Sequence, residues 1–169
     1  MRLKTLLLLA TTAVALAATT AVALGARGPA QDGTLSVRDG RATITLRMKG
    51  GVIGRFARGK LTVTDSLMNG GTVVVRGAER EVNISEKTTV YWGSNIRFRI
   101  MDDSRFVVKI HASKINVSAV GRGDGNLDGW GDPEGGVFFD GTFSLNDDAY
   151  RSIPDERVHF DLASSPSAG

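Results

Sequence analysis

Oxygen-bearing side chains at alternate positions can converge on one hard cation when the chain turns sharply between them. The run Asp124-Gly125-Asn126-Leu127-Asp128-Gly129 has that composition and matches the opening of a calcium loop, with Asp132 at the ninth position. The twelfth position, where a bidentate glutamate belongs, is Gly135, and Glu134 stands one place early. No helical pattern flanks the loop, so it is not an EF-hand. The competing reading is a tight acidic turn that uses Asp and Gly for backbone reasons. Calcium held by Asp124, Asn126, Asp128 and Asp132 is the one cofactor expectation.

Other chemistry is sparse. Gly54 to Leu61 has the spaced glycines and the lysine of a phosphate loop, but Leu61 stands where a hydroxyl should hold magnesium. Arg122-Gly123-Asp124 spells an adhesion tripeptide, a short match with little weight. His159 and Asp161 share one face of a strand as a potential dyad, with no identifiable nucleophile. There is no G-x-S-x-G elbow and no cysteine, which excludes thiol catalysis, disulfides and cysteine-ligated zinc. These residues do not specify an enzyme. Tyr91, Trp92 and above all Trp130, in a glycine-rich loop, could stack on sugar rings as a carbohydrate-binding surface.

The elements that must position these groups are strands. Period-two alternation dominates the chain, and no helical period competes with it. Asp39-Gly40 suits a two-residue hairpin turn, which would place Val37 opposite Ala42 and Leu35 opposite Ile44. Asp140-Gly141 predicts a second such turn, with Phe138 opposite Phe143. Asp102-Asp103-Ser104 predicts a three-residue loop that pairs Ile100 with Phe106, Phe98 with Val108 and Ile96 with Ile110. That hairpin turns a basic row outward: Arg97 opposite Lys109, Arg99 opposite Val107, with Arg105 and His111 nearby. Like charges so placed repel by a few tenths of a kcal/mol up to about 1, and an anion or partner on Arg97, Arg99, Arg105, Lys109 and His111 would relieve them. Acidic residues such as Asp147, Asp148 or Asp161 lying alongside would serve equally. Beyond Ala112 the apolar phase moves from even to odd positions, which predicts a bulge near Ser113. About ten short strands result, an all-β antiparallel sandwich or barrel; a β-solenoid is the alternative, though no repeat period supports it.

The chain has 169 residues, enough for one domain. Residues 1–26 read as a signal peptide or signal anchor: Arg2 and Lys4 precede an uncharged run from Thr5 to Ala26 that ends in small residues. Residues 27–33 read as a linker, 34–162 as a single β domain and 163–169 as a flexible tail. The pI of 9.5 is no argument for nucleic acid, because the exported part is nearly neutral. Its distribution is uneven: Arg27–Arg122 carries +9 and Gly123–Gly169 carries −8.

The signal segment, NIRFRI…RFVVKI, VGRGDGNLDG and GTFSL together resemble uncharacterised exported β-rich proteins of high-GC Gram-positive bacteria. The resemblance implies a compartment and a β fold, and no chemistry. The expectation is an exported, non-catalytic structural or binding module at the cell surface. Its partner would be a cell-envelope polymer or a protein, with the membrane touched only through residues 5–26 if these are retained. The alternative is a calcium-dependent or carbohydrate-binding module.

Overall fold

A computed structural model describes residues 31–65, 71–132, 134 and 139–164. Seven strands follow in order: β1 (Gln31–Asp65), β2 (Thr72–Arg76), β3 (Arg80–Ser85), β4 (Thr88–Gly129), β5 (Thr142–Leu145), β6 (Arg151–Ser152) and β7 (Val158–Ser164). All pairing is antiparallel, and no helix occurs among the described residues. The expected signal helix lies outside them. β1 begins at Gln31, within the span read as linker, and β7 reaches Ser164.

Two strands dominate. β4 has 42 residues and β1 has 35; a straight strand of the former length would extend about 140 Å. The chain avoids that by coiling. β1 and β4 pair along both of their edges, so Val52 lies opposite Ile100 on one side and Ala119 on the other, and Ile44 lies between Ile110 and Leu127. The sheet is not closed, because β2, β3 and β6 each have a partner on one side only.

Bulges do the bending. Val37 faces Val117 while Gly40 faces Ile115, so β1 carries an extra residue at Asp39, in the left-handed region at φ 49°. Between Gly40–Ile115 and Ala42–Ala112 the extra residue is on β4, around Lys114 at φ 53°. A third irregularity lies where Gly50 faces Asp102 and Met48 faces Phe106. Each increases local twist and turns a long strand across its partner. The inner face collects Leu35, Ile44, Leu46, Met48, Leu61, Ile96, Ile100, Phe106, Ile110, Ile115 and Leu127, each with 1% exposure or less, into one core.

The two expected hairpins are therefore corrected. Val37 is flanked by Val117 and Phe143, and Ala42 by Ala112 and Gly129, so neither has an edge left for the other. Likewise Ile100 lies between Val52 and Val73, and Phe106 between Met48 and Asp65. The expected apolar residues do face inward. Their partners are distant in the chain because two long period-two strands match each other as well as each matches itself. Phe138 lies outside the described residues, and Phe143 is already paired on both sides, by Val37 and Arg151. In place of the roughly ten short strands expected, the described residues form seven, two of them very long.

Candidate anion-binding face

The register of β2, β4 and β1 sets the outward residues in rows that run across the strands. One row is Arg76, Arg97, Arg55 and Asn116. The next is Val74, Arg99, Ile53, Ser118 and Ser36, and the third is Thr72, Met101, Gly51, Val120 and Thr34. Neighbours within a row have Cβ atoms about 5 Å apart. Three arginines thus stand side by side, with Arg99 one row away. Arg38 joins them on the wall of a shallow groove of about 750 Å³ that also takes in Ile53, Val74 and Ser118.

These arginines are not neutralised from within. All 18 acidic residues of the chain lie among the described residues, and the ion pairs there go elsewhere. Arg41 pairs with Asp140 at 2.7 Å, Arg122 with Asp32 at 2.9 Å, Arg157 with Asp128 at 3.1 Å and Arg47 with Asp124 at 3.3 Å. Arg38 packs its guanidinium on the Tyr150 ring, 3.9 Å from the centroid, and Arg99 donates to the Met101 sulfur at 2.9 and 3.1 Å. Neither contact cancels a charge. Lys114 adds another cation in a smaller hollow, shared with Arg55 and Arg97, where Asp39 is the acid present. Asn116 Nδ2 donates to Asp39 at 3.3 Å.

The expected basic row is split. Arg97 and Arg99 lie in the groove, but their neighbours are Arg55 and Arg76, and Ile53 and Val74, not Lys109 and Val107. Arg105, Lys109 and His111 follow the bend at Asp102. Lys109 sits between Thr45 and Thr62, and His111 between Thr43 and Lys60. His111 Nδ1 lies 2.8 Å from the Thr43 hydroxyl; burial, then Lys60 and Lys109, hold its pKa below the ordinary histidine value. Arg38, Arg55 and Arg76 are the residues that sequence reasoning missed. Their outward parity was readable, but their adjacency depends on pairings between distant segments.

The remaining candidates are dispersed. Asp124, Asn126 and Asp128 lie at alternate positions of extended β4, where Asp124 and Asp128 would be about 13 Å apart. Their partners are Arg47, His159 and Arg157. The three side chains expected to hold calcium are thus spread along an extended strand and not gathered around one point. Asp132 lies past the strand end and accepts from the Glu134 amide at 2.9 Å. Among the described residues no group of three or more carboxylates or histidines is placed to hold a metal. Trp130 is 39% exposed and stacks on His111 with centroids 4.6 Å apart, so one ring face is already occupied. Tyr91 packs against the core, where burial, then Glu81, raises its phenol pKa. Gly54–Leu61 lies within strand β1, and the Arg122-Gly123-Asp124 tripeptide lies within β4 with both charges paired. His159 Nε2 and Asp161 Oδ1 are 3.8 Å apart on the outer face of β7.

Comparison with family models, with curated proteins and with solved structures gives no match to this chain.

Proposed function

We propose that the protein is an exported, non-catalytic binding module at the cell surface whose working surface is the arginine face of β1, β2 and β4. The leader-like pattern of Met1–Ala26 supports export. The unclosed sheet, with both long strands crossing its bends, supports a sandwich in which layers exchange strands, in preference to a barrel. The observation that carries the function is the row Arg76–Arg97–Arg55, flanked by Arg99 and Arg38, while Asp32, Asp124, Asp128 and Asp140 pair with other arginines. Adjacent like charges cost stability, and a guanidinium fork is the side chain best shaped to grip phosphate or carboxylate oxygens in pairs. The ligand is therefore anionic.

The test is equilibrium binding of the purified protein to soluble polyphosphate across a salt series. Binding is expected, weakening as salt rises, and an Arg55→Ser/Arg97→Ser variant should lose at least tenfold in affinity. Wild-type affinity in that variant would place the anion site elsewhere. Absence of binding at low salt would remove the reading.

A further inference from the structure

We infer that the ligand of this face is an anionic amphiphile, a single molecule with a phosphate-like head and an apolar chain. The inference rests on the anion reading above and adds the chemistry of the ligand's other end. The outward residues change character along the strands: β4 presents Arg97, then Arg99, then Met101, and β1 presents Arg55, then Ile53. Steps of two residues advance about 7 Å, so the head row and the Met101–Val120 row are separated by about 13 Å. At the apolar end Ile53, Met101 and Val120 are 57%, 45% and 49% exposed, and they share a hollow of about 250 Å³ with Arg99. Val74, 40% exposed, lies across Arg99 from Ile53.

Single exposed apolar side chains are ordinary; a contiguous set beside unneutralised cations is not. A water-soluble polyanion would satisfy the arginines and leave this strip wet. An amphiphile satisfies both ends. The main groove, at about 750 Å³, is in the range of small-molecule sites of roughly 300–1,000 Å³, and its open side admits an elongated molecule. Arg99 links the halves, its stem lying along the strip and its guanidinium turned over the Met101 sulfur.

The experiment titrates the purified full-length protein with three probes: lysophosphatidylglycerol below its micelle-forming concentration, lysophosphatidylcholine at the same concentrations, and polyphosphate. Lysophosphatidylglycerol should bind at least tenfold more tightly than its zwitterionic counterpart. An Ile53→Thr/Met101→Thr variant should weaken it about tenfold relative to polyphosphate; Arg97→Ser should weaken both. Both apolar positions are exposed, so these variants leave the core intact, and every variant keeps residues 5–26, so any background from that segment cancels. Polyphosphate binding without lysophosphatidylglycerol binding, or lipid affinity indifferent to Ile53→Thr/Met101→Thr, overturns the amphiphile and leaves the anion face standing. Failure of both anionic probes overturns both.

Discussion

If the arginine row exists for a ligand, then removing its middle charge should stabilise the free protein. Arg97 stands between Arg55 and Arg76. Side chains of that length splay their charges to about 7 Å, where two unit charges in water repel by about 0.6 kcal/mol. Arg97→Gln relieves two such repulsions, a gain of about 1 kcal/mol at low ionic strength, within the measured span for like-charge cross-strand pairs. For a domain of this size that is a rise of about 3–6 °C in melting temperature. The assay is thermal unfolding in 10 mM and 1 M sodium chloride. At 1 M the Debye length is about 3 Å, so the gain should largely vanish. Arg47→Gln is the control, since Arg47 has Asp124 at 3.3 Å; it should be neutral or slightly destabilising. A lower melting point for Arg97→Gln at low salt, or a gain that persists at high salt, would refute the reasoning, because either result means that the row's energetics are not set by unscreened repulsion.

Three other perturbations follow from the same geometry. Asp140, 1% exposed, accepts from Arg41 Nε and the Gly131 amide, each at 2.7 Å; Asp140→Ala removes both bonds and the buried countercharge of Arg41, and should cost about 3–5 kcal/mol in denaturant unfolding. A Cβ at Gly54 would sit 2.7 Å from both Phe98 Cζ and Val117 Cγ2, so Gly54→Ala should cost about 1–3 kcal/mol, with part recovered by Phe98→Leu. In an NMR titration His111 should take its proton below the ordinary histidine pKa, and Lys60→Met should bring it closer to that value. Because the folded state binds that proton more weakly than the unfolded chain, the contribution to stability is present above a pH of about 6.5 and is lost as pH falls through the folded value; the outward position of His111 keeps it small.

Period two is a property of each strand alone, so it was readable. It named the inward residues from Leu35 to Ile44 and from Ile96 to Ile110, and the phase change at Ala112 predicted the bulge that Lys114 makes. A two-residue turn needs positive φ at both Asp39 and Gly40; Asp39 has it and Gly40 does not. What period two cannot specify is the partner. Almost every inward residue of β1 and of β4 is apolar or glycine, and any of several registers buries them equally well. Turn chemistry was the sole local discriminator. Asp39 uses its left-handed conformation for a bulge instead of a reversal, and Asp102 folds its carboxylate back to the Ser104 amide at 2.7 Å without reversing the strand. The candidate site inherited the same gap. Arg97 and Arg99 were identifiable as outward cations, whereas Arg55 and Arg76 lie next to Arg97 only through pairings some 20 to 40 residues apart in sequence.

The charge imbalance between the two parts of the chain is resolved by the same ladders. The acidic third enters the sheet at the end of β4, where Asp124 and Asp128 lie opposite Arg47 and Thr43 of β1, and where β7 covers the other edge. From there its carboxylates reach Arg47 and Arg157, and the loop that follows brings Asp140 to Arg41. The stretch of β1 that carries Ile53 and Arg55 is paired on both sides by other parts of β4, around Arg97 and around Asn116. No edge remains there for an acidic strand to dock. The acidic strands therefore stop short of the Gly50–Gly51 bend, and Arg55, Arg76 and Arg97 beyond it are left exposed by topology. A chain under selection for stability alone could have placed threonines at those outward positions, as it does at Thr43, Thr45, Thr62 and Thr64. Arginines there carry a cost that an anionic ligand would offset.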